Sequence, residues 1–193
     1  RCSRDWSSDV CSSDLKDKIL FESPPTTRIV SINGTLGNKR KHLAFPYVQY
    51  YLCRLPRNRY THVTASNFLG TLHVTLRNSP MESLEDEVHI MPLPHCFDDS
   101  SFCMHPQLSG LQELPAIFEK TVEDFWRSQF SHAGSFIGAA ALSESLKNYK
   151  NWEELTAKNP MDILNVKWKY PMHLSKLPYR PYQITTHNND YTI

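Results

Sequence analysis

The stretch PYVQYYLCRLPRNRYTHVTASNFLGTLHVTLR, residues 46–77, decides the fold class. Three runs of strand-forming residues lie in it, separated by two short clusters of turn formers. PYVQYYLCR (46–54) is rich in aromatics, RYTHVTAS (59–66) alternates, and GTLHVTLR (70–77) sets Leu72, Val74 and Leu76 on one face, with LPRN and NFLG in between. Period-two runs of β-branched and aromatic residues bounded by Asn, Gly and Pro read as strands, and connections this short join antiparallel neighbours. The spacing predicts an antiparallel β-meander, with RIVSIN (28–33) as an earlier apolar strand.

Beyond residue 77 the pattern changes. SPMESLEDE (79–87), with Pro80 and four acids, is expected to end the strand region. Residues 91–105 hold Pro92, Pro94 and the run Asp98-Asp99-Ser100-Ser101, which forbid a regular helix and mark a loop. LPAIFEKTVEDFWRSQF (114–130) then takes the helical period. Pro115 suits a first helical turn, Phe118, Val122, Phe125 and Trp126 form one apolar stripe, and Glu123 can pair with Arg127 on the outer face. A second helix is expected over SFIGAAALSESLKNYK (135–150), after a break at Gly134, and a short third one over NWEELTAKN (151–159). From Pro160 the chain is punctuated by Pro171, Pro178 and Pro181 and is expected to wrap the surface. The reading is an α/β (α+β) domain over 16–159, its meander flanked by helices, with a C-terminal extension over 160–193.

Residues 1–15, RCSRDWSSDVCSSDL, have neither strand nor helical periodicity and resemble a translated sequencing adapter, so they are expected to be a non-native leader. Without their two arginines and three aspartates the chain carries 19 basic and 17 acidic side chains, near +2. That balance argues against nucleic-acid or anionic-membrane partners. The apolar runs are too short to span a bilayer, and the length suits one soluble domain with a real core. Outside the leader the cysteines are Cys53, Cys96 and Cys103. An odd count with no visible signal peptide favours a reducing, cytoplasmic setting over a disulfide framework.

The chemistry concentrates in LPHCFDDSSFCMH (93–105), with two cysteines, two histidines and two acids in thirteen positions. His95, Cys96, Cys103 and His105 are ligand types that suit zinc, but adjacent ligands at 95 and 96 seldom reach one ion and no C-x2-C knuckle is present. Zinc is therefore the weaker alternative, and no cofactor follows. A free cysteine between Phe102 and Met104 is more often a small buried hydrophobe than a nucleophile. Elsewhere, His42, His62, His73 and His89 lie near strand signals and read as surface or hydrogen-bonded residues, and Tyr47, Tyr50 and Tyr51 as core or sheet face. NGTLGNKRKH (33–42) lacks the order of a phosphate loop and reads as a solvated hairpin connection.

Strands, then an irregular segment bearing a cysteine, then helices is the element order of ubiquitin-conjugating enzymes, and at this loop the chain resembles them in detail. Laid without gaps on that family's His-Pro-Asn to catalytic-Cys motif, Pro94 takes the family proline, Phe102 the aliphatic site, Cys103 the nucleophile and Met104 the leucine. His95 stands where the family has asparagine, Leu93 where it has histidine, and Ser100 where it has glycine. SPMESLEDEVHIMPLPHCFDDSSFCM followed by the FW-containing helix also looks like the diverged ubiquitin-conjugating-like proteins of bacterial mobile elements and phages. The resemblance covers residues 28–131.

The resemblance implies a thioester carrier. Cys103 would accept a ubiquitin-like modifier from an activating enzyme, His95 would substitute as the oxyanion donor, and Asp98 or Asp99 would orient or deprotonate the incoming amine. A noncatalytic member of the same fold, used as an adaptor for a protein partner, remains the alternative, because fold alone does not fix activity.

Overall fold

The structure is a computed structural model that describes residues 18–34, 37–54, 70–102, 114–131 and 140–176. The described residues form a mixed α+β architecture of two sheets and few helices. Lys18–Ser23 (β1), Thr26–Gly34 (β2), Gly37–Phe45 (β3) and Tyr47–Arg54 (β4) come first, followed by Gly70–Arg77 (β5) and Glu87–Ile90 (β6). Further on come a helix at Leu114–Arg127 (α1), short strands at Gln129–Ser131 (β7) and Pro171–His173 (β8), between them a helix at Tyr149–Lys158 (α2), and short 3-10 helices at Pro160–Asn165 and Leu174–Lys176. One sheet has the order β1-β4-β5-β6-β8 with every pair antiparallel, and the other the order β3-β2-β7. Within the second, β2 pairs antiparallel with β3 and parallel with β7.

Prolines mark where the chain changes sheets. Pro24 and Pro25 separate β1 from β2, and Pro46 separates β3 from β4. A residue without an N–H cannot continue a ladder, so the chain turns out of one sheet at each site and enters the other. The two sheets share one core, to which Val30, Ile32, Leu43 and Phe45 contribute from one side and Val48, Tyr50, Val74 and Leu76 from the other.

The helical stripe lies where its spacing places it. Along α1, Phe118 and Phe125 are buried, and Val122 and Trp126 pack partly buried against the core. Phe125 sits edge-on to Phe102, Trp126 and Phe130 at centroid separations of 4.7, 4.8 and 5.4 Å. The Trp126 indole donates to the Tyr50 hydroxyl at 2.8 Å, and the Arg28 guanidinium lies 4.5 Å above its ring. On the outer face Arg127 meets Glu123 at 2.7 Å.

Several expectations are corrected. β4 pairs directly with β5 along its whole length, from Tyr47↔Arg77 to Arg54↔Gly70, where the meander reading set a further strand between the two in sequence. Residues 59–66 themselves lie outside the described residues. Strand structure does not end at the acidic segment, since β6 follows it, and the architecture has more strands than one meander. The NGTLGNKRKH stretch is not simply a connection: its second half begins β3. The outer edge of β3 is covered by α2, where Thr156 accepts from the Ala44 amide at 2.8 Å and the Trp152 indole donates to the Ala44 carbonyl at 2.7 Å. Covering an edge in this way removes a pairing hazard.

The helix expected over 135–150 is absent from 140–148, where the chain runs in turns, and 135–139 lie outside the described residues. Ser143 takes the amide of Ser145 on its hydroxyl, and Lys147 adopts a left-handed φ of 59°, both of which compete with helix. The helix starts instead after Asn148, whose side chain caps the Lys150 and Asn151 amides at 2.9 Å each. The segment from Pro160 opens with a short 3-10 helix and buries Ile163, Val166, Trp168 and Leu174.

Among the described residues no helix is long and apolar enough to cross a membrane.

A candidate site in the loop after β6

The loop that follows β6 folds back on β5. Ser101 bridges His73 and Phe102 bridges Cys96, so residues 100–102 run along the end of β5 that β6 leaves open. The Val74 amide donates to the Ser100 carbonyl at 3.0 Å, and the Phe102 amide to the Leu72 carbonyl at 3.1 Å. The turn closes on itself, with the Phe97 amide donating to Ser101 and the Ser100 amide to Phe97. Met91, Leu93, Cys96, Ser100 and Phe102 are buried, which makes this an ordered, packed loop. At its start the Tyr149 hydroxyl, from α2, donates to the Pro92 carbonyl at 2.9 Å.

Two residues of the loop, His95 and Ser100, hold left-handed backbone with φ of 69° and 62°. That region costs an L-residue with a Cβ on the order of 1–2 kcal/mol, so the surrounding contacts must hold it. His95 is partly buried, and its Nε2 lies 2.8 Å from the Ser131 hydroxyl at the end of β7. Desolvation lowers its pKa, which favours the neutral ring. Asp99 accepts from the Ser101 amide at 3.0 Å and from its hydroxyl at 2.5 Å, so its carboxylate serves the turn. Asp98 is exposed.

Cys96 is fully buried, with its Sγ 3.5 Å from the Phe97 carbonyl. Burial, reinforced by the negative charge of Asp99, pushes its thiol well above the ordinary range, so it stays protonated and inert near neutral pH. Of the remaining loop residues named from the sequence, Cys103, Met104 and His105 lie outside the described residues. Among the described residues no group of three or more His, Cys, Asp or Glu could hold a metal ion.

Two further residues touch this loop: His73, which the sequence reads as surface or hydrogen-bonded without a role here, and Ser131, which it does not single out. His73 is buried, and its Nδ1 lies 2.9 Å from the Asp99 carbonyl. A carbonyl only accepts, so Nδ1 carries the ring proton in the neutral state. Alternation placed His73 and Thr75 opposite the apolar face of the strand. Both faces of β5 are covered, however, and the two are as buried as Leu72 and Val74. Ser131 was missed because its role depends on β7 pairing in parallel with β2, a long-range contact that no local pattern announces.

No protein-family model, curated protein or solved structure matches the chain.

Proposed function

We propose that this chain is a ubiquitin-conjugating-like transferase that carries a ubiquitin-like modifier as a thioester on Cys103 and passes it to an amine. One observation supports the reading above the others. The two loop positions that the resemblance assigns to asparagine and glycine, His95 and Ser100, both hold left-handed backbone. Glycine and asparagine are the residue types that enter this region most readily. A loop of that ancestry would keep such a backbone after both residues had been replaced; the other left-handed non-glycine residues among those described, Lys147 and Tyr170, lie outside this loop.

In this reading the Cys103 thiolate attacks the activated C-terminal carbonyl of the modifier and displaces the thiolate of the activating enzyme. An amine then attacks the thioester carbonyl and the Cys103 thiolate leaves. His95 donates to the oxyanion between these events, and the amine proton goes to a carboxylate. Asp98, exposed beside the turn, suits the last role better than Asp99, whose oxygen is engaged by Ser101.

The experiment is incubation with a ubiquitin-like modifier, its activating enzyme and ATP. It should yield an adduct that a reducing thiol removes. Cys103→Ser should abolish that species or convert it to a thiol-resistant ester, while Cys96→Ser should leave it in place. A Cys103 that alkylates near neutral pH no faster than the buried Cys96 would overturn the reading. A noncatalytic adaptor would then take its place, a reading favoured by Phe97, an exposed large apolar side chain next to Asp98 on the same loop.

A further inference from the structure

We infer that Arg28, Ser23 and Tyr50 form a binding site for a carboxylate, set between the two sheets where β1 crosses into β2. The backbone brings them together. Ser23 ends β1 opposite Val48, and Phe21, two residues earlier, lies opposite Tyr50, so Ser23 and Tyr50 share the face of the first sheet that carries the core. Arg28 stands opposite the buried Leu43 and two residues before the buried Val30, on the core-facing side of the second sheet. Pro24 and Pro25 span the step from one sheet to the other. Trp126, in the last turn of α1, closes the group: its ring lies 4.5 Å from the guanidinium carbon of Arg28, and its indole N–H donates to the Tyr50 hydroxyl at 2.8 Å.

Donors outnumber acceptors in this group. Guanidinium and indole only donate, and the Tyr50 oxygen, which already accepts from Trp126, still has its own proton to give. Burial raises the Tyr50 pKa against the opposing effects of the Arg28 charge, the Ser23 hydroxyl and the Trp126 indole, so the phenol keeps that proton at neutral pH. Among the described residues four buried side-chain polar atoms have no hydrogen-bond partner, and two of them, Arg28 Nε and Ser23 Oγ, belong to this group. No carboxylate of the described residues pairs with Arg28, and Glu22, next to Ser23, is engaged by the Gln49 side chain and the Met81 amide. Buried donors without acceptors are costly, and the missing partner is an anion. A carboxylate meets the need: its two oxygens match the parallel N–H groups of a guanidinium and have lone pairs left for the two hydroxyls. Its single negative charge also balances the single cation, which the double charge of phosphate would not.

The site stands apart from the loop after β6 and from the transferase reading, so its test needs neither modifier nor activating enzyme. In the ¹⁵N-labelled full chain the Arg28 Nε–H and Trp126 Nε1–H signals are assigned by their loss in Arg28→Lys and Trp126→Phe. Sodium acetate is titrated in against sodium chloride at constant ionic strength. Both signals should shift together on one saturating curve, half complete on the order of 1–50 mM for so small an anion. Ser23→Ala should raise the half-saturating concentration about tenfold, the usual effect of losing one hydrogen bond to a charged group. Arg28→Lys, followed on Trp126, keeps the charge but loses the Nε–H and the planar fork, and should abolish saturation. A linear drift that chloride reproduces overturns the site, and so does an acetate curve that either variant leaves unchanged. Inorganic phosphate that saturates both signals at lower concentration than acetate overturns the carboxylate assignment.

Discussion

The two edges of β5 are held by different means. Along one, β4 pairs with it in an unbroken antiparallel ladder of eight residue pairs. Along the other, β6 supplies only Ile90 and His89 opposite Thr75 and Leu76, and the loop after it supplies residues 100–102. The ladder edge is specified by repetition: each residue repeats the conformation of the last, and register follows from which face is apolar. The loop edge is specified by exceptions. It needs two left-handed residues, a carboxylate folded onto Ser101, a histidine under the turn and one aromatic, Phe102, driven into the core. Chemistry is more readily placed on the second kind of edge, because its side chains are aimed individually and do not alternate in and out.

If Phe102 anchors the loop edge, its ring partner is where that edge is most easily broken. Phe125 is fully buried and meets Phe102 edge-on at 4.7 Å, with Tyr50, Trp126 and Phe130 around it. Phe125→Ala should lower unfolding free energy in urea by about 3–5 kcal/mol, the usual cost of emptying a buried aromatic site. Backbone amide exchange at Ser100 and Phe102 should accelerate more than at the β4-paired positions. A loss below about 1 kcal/mol would mean that the loop is held by its own turn bonds and not through the aromatic cluster.

What could be read from the sequence divides along the same line. The runs at 46–54 and 70–77 and the stripe on α1 are periodic signals, and each is found in place. The order of the strands could not be read, because β4 reaches β5 across residues 55–69, and because β1 and β6 carry short, weak patterns. At the loop, the sequence pointed to residues 93–105 by composition, and the structure places His95, Asp98 and Asp99 on one folded turn. Ser131 carries no signal there, and His73 no link to the loop; the two arrive from β7 and β5 through pairing over long separations. Alternation sets His73 opposite the apolar face of β5, where it reads as a surface or hydrogen-bonded residue, and it is the latter, in a buried position. That rule assumes one solvated face, and a central strand covered on both sides does not obey it.

The buried imidazole makes the loop edge sensitive to pH where the ladder edge is not. Burial lowers the His73 pKa from its ordinary 6.5, outweighing the Asp99 carbonyl and charge that act in the opposite direction. A base whose folded pKa lies below its unfolded one binds fewer protons when folded. Its contribution is therefore fully present above the unfolded value, near 6.5, and is lost as pH falls below it toward the folded pKa. His89 and His95 shift in the same direction, also through desolvation. Unfolding free energy from urea titrations should thus decline from pH 7.5 to pH 5.5, with a slope of at most about 1.4 kcal/mol per pH unit for each histidine. His73→Gln, whose amide can still donate to the Asp99 carbonyl, should flatten that slope. An unchanged slope in the variant would show that burial does not hold this ring neutral.

The smallest expected effect tests whether the irregular edge carries strain. Ser100 has a left-handed φ of 62°, is fully buried, and its hydroxyl has no hydrogen-bond partner among the described residues. Each feature costs free energy: roughly 1–2 kcal/mol for the Cβ in that region and roughly 1–3 kcal/mol for an unsatisfied buried hydroxyl. Glycine at this position removes both. Against that stand the greater freedom of glycine in the unfolded chain, about 0.5–1 kcal/mol, and the small void left by the side chain. The balance favours Ser100→Gly as a stabilising change of about 1 kcal/mol, read as a higher urea midpoint at constant m-value. Ser100→Ala separates the two causes, since it removes the hydroxyl and keeps the Cβ. If alanine stabilises as much as glycine, the cost lay in the buried oxygen and the backbone is relaxed. If only glycine does, the loop holds Ser100 in a conformation suited to glycine, the residue that the ubiquitin-conjugating resemblance places there.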